Sequence, residues 1–131
     1  MRQEQYQKAM SSSNYREFSE CFNSGCTRCS LCEHDNRPVV WRGNPDSKIM
    51  LVAEAPGAVE DQNGQPFCGP AGKLLDTIFQ CVCGMNTNSD MLLTNIVFCS
   101  PVDSTDSNRQ NYTPRKEQIV RCLPFVEKSI D

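Results

Sequence analysis

Nine cysteines are the residues of this chain best suited to chemistry, and four of them have the spacing of a metal site. Cys26 and Cys29 form a CxxC pair, which can bring two thiolates to one centre. Cys99 follows an apolar run, and Cys122 lies in a helical pattern near the C-terminal end. Two close and two distant thiols predict a four-thiolate site that ties an N-terminal loop to the body of the protein. Zinc and an iron–sulfur cluster both fit this donor set.

A simpler interpretation treats the cysteines as scattered free thiols that are buried as small apolar side chains. Cys32 lies close to the CxxC pair and could substitute for one of the four ligands. His34, the only histidine, lies beside the same loop, and we expect it at the surface. The cysteines expected to be purely structural are Cys21, Cys68, Cys81 and Cys83.

A second group of chemically capable residues lies in residues 54–76, EAPGAVEDQNGQPFCGPAGKLLD. Glu54 comes directly after a short apolar run, and acids, tight-turn residues and Phe67 follow it. Asn95 ends a second apolar run. In parallel sheets, ligands bind beyond the carboxyl ends of the strands, where both residues would lie. Taken one at a time, Glu54 could equally be a solvated acid, Phe67 a core residue and Asn95 a partner of loop backbone.

Length and charge limit the class of protein. A chain of 131 residues suffices for one domain with a modest core, and 38% hydrophobic and 22% charged residues are ordinary for a soluble protein. No apolar run is long enough to span a membrane, and the polar N-terminal residues lack a secretory signal, so we expect a cytoplasmic protein. A net charge of −3 gives no general attraction to nucleic acid. DNA binding would need a local basic patch, and the candidates, which equally fit a solvated face, are Arg109, Arg115, Lys116 and Arg121.

The elements that must position these residues have an α/β pattern. We expect a flexible segment at residues 1–13, a helix at 14–22, strands at 48–53 and 91–98, and a turn-rich loop at 54–70. A helix from Gly72 has an apolar face formed by Leu74, Leu75, Ile78, Phe79 and Val82. A last helix begins with Thr113 as N-cap and Pro114 at the first position, and is kinked or ended near Pro124. Alternating strands and helices predict a parallel sheet.

Four segments resemble the ordered motifs of the iron–sulfur uracil-DNA glycosylases of the family 4 type: CTRCSLCEHDNRPVV, AEAPGAVEDQNGQPFCGPAGKLLD, LLTNIVFCSP and TPRKEQIVRCLPFVE. The resemblance covers residues 14–131. It implies an α/β fold, a three-layer-type sandwich with a central parallel sheet, here incomplete, together with a cysteine-rich cluster-binding loop. It also implies a hydrolase that excises uracil from DNA by breaking the N-glycosidic bond, the first step of base excision repair.

The same resemblance implies the cofactor and the residues that recognise the base. Cys26, Cys29, Cys99 and Cys122 would hold a 4Fe–4S cluster with a structural role, with zinc as the alternative on spacing alone. Phe67 is similar to the residue on which the flipped uracil stacks, and Asn95 to the residue that reads its Watson–Crick edge. Glu60 matches a second pocket residue, which would exclude the thymine methyl group.

The resemblance further assigns the groups that break the bond. Glu54 corresponds to the acid that positions or activates water. Ala55 and Gly57 supply backbone amides that face the negative charge developing on uracil O2.

Two departures from the family pattern bear on function. Ala53 precedes Glu54 where the family commonly has glycine, and a late His-Pro-Ser type motif is missing from the sequence. We therefore expect residues 14–131 to be the N-terminal portion of a glycosylase-like domain, completed by a larger polypeptide or a partner. Two alternatives to a glycosylase that acts on uracil-containing DNA stay open. One is a non-catalytic DNA-binding or accessory module of a replication or repair protein, and the other is a zinc-stabilised interaction domain.

Overall fold

The computed structural model describes residues 3–23, 25–29, 38–101 and 113–130 of the chain. Cys32, His34 and Arg109 lie outside these ranges. In chain order the elements are α1 (Gln3–Ser11), α2 (Tyr15–Glu20), β1 (Arg42–Gly43), β2 (Met50–Ala53), α3 (Ala58–Asn63), α4 (Pro70–Ile78), a π-helical turn (Phe79–Cys83), β3 (Leu92–Asn95) and α5 (Lys116–Ile130). No helix in the described ranges has the length and apolar character needed to cross a membrane.

A small mixed sheet forms the centre, with the strand order β1-β3-β2. Strands β2 and β3 are parallel, and their register pairs Met50 with Leu92 and Ala53 with Asn95. This confirms the α/β class and the two predicted parallel strands, although both are shorter than expected. Strand β1 runs antiparallel to β3 and has only two residues, too few to leave an alternating pattern in the sequence.

Four phenylalanines form the main core and join α2, the segment after β3 and α5. Phe22 and Phe125 have ring centroids 4.8 Å apart, and Phe22 and Phe98 5.4 Å apart. Phe18 packs edge-on against the other three. Aromatic pairs at these distances stabilise a core beyond the area that they bury. This core therefore fixes α2 and α5 against the end of β3.

Most of the N-terminal segment expected to be flexible forms helix α1. Residues of α1 that lie three and four positions apart share one face, on which Ala9 is fully buried and Met10 packs against the core. The Tyr6 ring meets Phe125 edge-on at 5.7 Å. A few apolar residues at helical spacing thus suffice to dock an otherwise polar helix.

Helix boundaries required two corrections. Helix α5 begins at Lys116 rather than at Pro114, and the Gln118 side chain accepts a hydrogen bond from the Arg115 backbone N–H at 2.9 Å. The helix also continues through Pro124 to its end, because Phe125 and the residues after it pack their buried face onto the core. The expected loop at residues 54–70 contains α3, which Gly64 closes in a left-handed conformation.

The apolar residues predicted to share one face after Gly72 do lie in helical structure, in α4 and the π-helical turn after it. Three of them are nevertheless exposed to solvent in the described part of the chain. Leu74 is 61% exposed, Ile78 46% and Val82 78%. The 3.6-residue period therefore identified the helix correctly.

Candidate active site and metal centre

The four cysteines predicted to bind a metal line one cavity, although they come from three separate segments. Cys26 and Cys29 approach from the CxxC loop, Cys99 from the segment after β3 and Cys122 from α5. The phenylalanine core forms the apolar part of the wall. None of the eight described cysteines forms a disulfide. The donor set is therefore four thiols in a largely apolar surrounding, which suits soft metals.

Two arginines tie the CxxC loop to α5 beside this cavity. The Arg28 Nε–H donates to the Arg121 carbonyl at 3.2 Å, and the Arg121 Nε–H donates back to the Arg28 carbonyl at 2.7 Å. The Arg28 guanidinium also lies over the Tyr6 ring, 4.1 Å from its centroid. These contacts join the segment that carries Cys29 to the helix that carries Cys122. Arg121 is exposed and takes part in this link.

The electrostatics of the cavity disfavour bare thiolates. Burial, with a smaller contribution from the neighbouring cysteines, raises the pKa of Cys99 far above its usual value. Burial also raises the pKa of Cys122 to about 12, although the Phe98 backbone and the Arg28 charge oppose this shift. A cationic metal centre reverses the preference, since coordinated thiols are deprotonated.

In the described ranges, no group of three or more His, Cys, Asp or Glu converges closely enough to hold a metal ion. The four thiols nevertheless line one cavity. Four cysteines are the ligand set of both a structural zinc ion and a 4Fe–4S cluster, so the donor set fits either centre.

A second group of residues lies at the carboxyl ends of β2 and β3. Ala53 and Asn95, the last residues of β2 and β3, are paired. Glu54, the next residue after Ala53, therefore lies beside the end of β3. Backbone hydrogen bonds continue the ladder past both strands, from Ile96 N–H to the Ala53 carbonyl at 2.8 Å and from Val97 N–H to the Glu54 carbonyl at 3.1 Å. Glu54 is exposed, so its carboxylate can reach water and a bound ligand.

Asn95 is the most informative residue of this edge. It is only 2% exposed, and its side-chain amide has no hydrogen-bond partner among the residues that the structure describes. Buried polar groups are nearly always paired, so an unpaired buried amide calls for an explanation. A ligand that offers both an acceptor and a donor would satisfy it.

The turn after Glu54 presents backbone groups to the same edge. Ala55 packs beside Val97 and Cys99, which links this turn to the cysteine cavity. Gly57 precedes α3, and its carbonyl accepts a hydrogen bond from Asp61 N–H at 3.0 Å. Neither Ala55 N–H nor Gly57 N–H donates to another residue in the described ranges, so both can meet an external acceptor.

Glu60 has a structural contact that the sequence did not reveal. Its Oε1 accepts a hydrogen bond from Gly69 N–H at 3.1 Å, at the start of α4. A carboxylate is favoured there because the helix N-terminus carries partial positive charge. Glu60 thus holds α3 against α4, with its second carboxylate oxygen left for other partners.

Phe67 adopts an unusual backbone conformation in the turn before α4. Its φ of 59° lies in the left-handed region, the only non-glycine residue of the described ranges to do so. Such a conformation costs about 1–3 kcal/mol and persists only where the surroundings enforce it. Gly72 is part of that enforcement, because a Cβ atom there would overlap the Phe67 carbonyl group. Among the described residues, no hydrogen bond or ring contact joins the Phe67 turn to Glu54 or Asn95, so the candidate site is built from two separate segments.

Replacement of Gly72 by alanine should disturb this turn. The added methyl group has no room against the Phe67 backbone, so we expect a loss of about 1–3 kcal/mol in the free energy of unfolding. Ala71→Gly at the neighbouring exposed position should cost only about 0.5–1 kcal/mol, through helix propensity. Urea unfolding measures both. A Gly72→Ala protein as stable as the parent would show that α4 does not press on the Phe67 turn.

Sequence reasoning missed Arg42, whose guanidinium binds the carbonyls of Pro66 and Phe67. The available signal was a charged residue within the apolar run VVWRG. A charge at a buried position is rarely accidental, because it must be paired.

Comparisons with known proteins identify the family to which the chain belongs. Residues 40–131 match the model of the uracil DNA glycosylase superfamily. The type-4 uracil-DNA glycosylase of Sulfurisphaera tokodaii is 35% identical over 106 residues, which are 81% of this chain and 44% of that protein. The type-4 enzymes of Saccharolobus solfataricus and Thermotoga maritima are 34% and 35% identical over 106 residues, covering 81% of this chain and 45% and 50% of theirs.

The chain spans about half the length of the curated relatives that it matches. The family match includes Glu54, Phe67 and Asn95 as well as two of the four cavity cysteines, whereas Cys26 and Cys29 precede it. Since the match covers well over half of the chain, this protein belongs to the uracil-DNA glycosylase superfamily.

Proposed function

We propose that this chain binds uracil in DNA and, as a glycosylase, hydrolyses the N-glycosidic bond in base excision repair. The observation that carries the proposal is the buried amide of Asn95, which has no hydrogen-bond partner among the described residues and lies, by the register of β2 and β3, beside Glu54. Family membership and the names of the similar proteins support the same reaction. The finer fold, a three-layer sandwich over residues 14–131 with its cluster loop, is part of this proposal.

Recognition begins with a uracil that has left the base stack. The Asn95 amide accepts a hydrogen bond from uracil N3–H and donates one to O4, which satisfies the buried amide and rejects cytosine. The Phe67 ring stacks on the base. The Glu60 carboxylate accepts a hydrogen bond from Gly69 N–H through Oε1. Its second oxygen excludes the thymine methyl group from the pocket.

Bond cleavage uses groups on the turn after β2. As the glycosidic bond lengthens, negative charge develops on uracil O2. The N–H groups of Ala55 and Gly57, which donate to no described residue, stabilise that charge as hydrogen-bond donors already in place. The exposed carboxylate of Glu54 orients a water molecule toward the sugar carbon and takes up its proton.

A 4Fe–4S cluster is the cofactor that we propose, held by Cys26, Cys29, Cys99 and Cys122. Four thiols from three segments around one cavity support it. When bound, such a cluster supplies a covalent cross-link between the CxxC loop, the end of β3 and α5. Its place beside Ala55 and Val97 would stabilise the edge on which uracil binds.

Replacing Asn95 with aspartate tests the recognition step. An ionised carboxylate can only accept hydrogen bonds, so the contact to uracil O4 becomes repulsive. We expect the preference for a uracil-containing over a cytosine-containing oligonucleotide to fall by about 5- to 150-fold, the equivalent of 1–3 kcal/mol. Fluorescence anisotropy with single-stranded oligonucleotides that differ at one base measures it.

Asn23→Asp is the matched control, because it makes the same chemical change at an exposed residue. It should leave the preference for uracil unchanged. An Asn95→Asp protein that discriminates as well as the parent would show that Asn95 does not read the base. Uracil-selective binding without release of uracil by the parent would instead favour the accessory-module alternative.

A further inference from the structure

The guanidinium of Arg42 forms a bridge between three distant parts of the chain. The side chain is only 8% exposed. Its Nε–H donates to the Pro66 carbonyl at 2.9 Å, and its Nη2 donates to the Phe67 carbonyl at 3.1 Å. One planar group therefore holds two consecutive carbonyls of the turn that presents Phe67.

The opposite edge of the same guanidinium is anchored to the protein body. Nη1 donates to Asn88 Oδ1 at 2.7 Å and to Thr87 Oγ1 at 3.1 Å, in the segment before β3. Nη2 also lies 3.4 Å from Asp76 Oδ1 on α4, and the Thr87 hydroxyl donates to that same oxygen at 2.7 Å. All five N–H donors of the guanidinium are thus directed at acceptors. Such complete pairing is what makes a buried charge tolerable.

We propose that Arg42 is the positioning residue of the base-stacking platform: it holds Phe67 in its left-handed conformation so that the ring faces the flipped uracil. This inference rests on the proposed function, because it assigns the clamped ring to uracil. Gly72 meets the same Phe67 carbonyl, since α4 packs directly against it. A turn held by both contacts keeps a conformation that phenylalanine rarely adopts.

The geometry requires arginine rather than any cation. Lysine carries a compact ammonium group with three donors and cannot bridge two carbonyls while keeping contact with Asp76 and Asn88. Arg42→Lys therefore keeps the charge and loses the clamp. If Arg42 had only a structural role, Arg42→Lys would still lower the stability of the protein. The test therefore needs measurements that a change in stability alone does not alter.

Hydrogen–deuterium exchange of the full chain is the first readout. In Arg42→Lys we expect the amides of residues 67–69 to exchange at least about tenfold faster, while those of α5 keep the parental rate. Arg16→Lys is the matched control, since Arg16 forms only an exposed pair with Glu20. Asn88→Ala removes the closest side-chain anchor from an exposed position and should give a smaller change of the same kind. Parental exchange at residues 67–69 in both Arg42→Lys and Asn88→Ala would overturn the clamp.

A double-mutant cycle is the second readout, with binding of a single-stranded oligonucleotide that contains one uracil. Phe67→Ala and Arg42→Lys should each raise Kd by about 5- to 150-fold, the range that base stacking spans, and the double variant should be no weaker than Phe67→Ala. If Arg42→Lys weakens binding equally in the Phe67→Ala background, Arg42 acts on stability and the inference is wrong. If the parent binds uracil and thymine oligonucleotides equally while exchange still shows the clamp, the proposed function fails and the role of the clamp in stacking falls with it.

Discussion

Glu54→Gln should lower the rate of uracil release by about 10²–10⁴-fold and leave the affinity for uracil-containing DNA unchanged. Glutamine keeps the shape of the side chain and removes its ability to take a proton. Glu54 is exposed beyond the end of β2 and lies outside the base-reading contacts, so its loss should affect the chemical step alone. Single-turnover release of uracil, measured beside the binding affinity, separates the two effects.

Glu127→Gln makes the same change on the exposed face of α5 and serves as the control. It should release uracil at the parental rate. If Glu54→Gln also does so, Glu54 does not position the water. If Glu54→Gln loses binding and release together, its carboxylate holds the turn rather than serving the reaction.

Cys122→Ser should remove most of the bound iron and destabilise the fold by more than about 4 kcal/mol, a loss typical of a destroyed metal site. The reason is that Cys122 supplies the only proposed ligand from α5, so the cross-link between this helix and the CxxC loop disappears with it. Iron content, visible absorption and the yield of soluble protein measure the effect. A cluster-loaded parent should be brown, whereas a zinc protein would be colourless.

Cys81→Ser is the matched control, because Cys81 is exposed on the π-helical turn and lies outside the cysteine cavity. It should keep both the iron and the stability of the parent. Full iron retention in Cys122→Ser would rule out Cys122 as a ligand. Zinc in stoichiometric amount in a colourless parent would replace the cluster hypothesis.

Local patterns were enough to predict the parts of the fold that depend on neighbours in sequence. Two short apolar runs identified β2 and β3, and their parallel pairing is what brings Glu54 beside Asn95. The spacing of the cysteines singled out four thiols that the structure gathers around one cavity, although their role as ligands stays a prediction. The helix expected at residues 14–22 forms as α2, which Asn14 caps by accepting a hydrogen bond from Glu17 N–H.

Features that depend on distant partners could not be predicted in this way. Helix α3 has the polar sequence AVEDQN, and it is held by Gly64 and by the contact from Glu60 to Gly69 rather than by an apolar face. The side-chain partners of Arg42 lie 24 to 46 residues away along the chain, so only the fold reveals its role. Leu74 is exposed because no other described segment buries its side chain. The helical period alone does not specify whether such a segment is present.

The most direct test is release of free uracil from a single-stranded oligonucleotide that contains one uracil, by the cluster-loaded chain, with thymine and cytosine oligonucleotides as matched substrates. We expect uracil to appear in amounts that grow with time and protein, and no thymine or cytosine to appear. A chain with its full complement of iron that releases no uracil would contradict the proposed glycosylase activity.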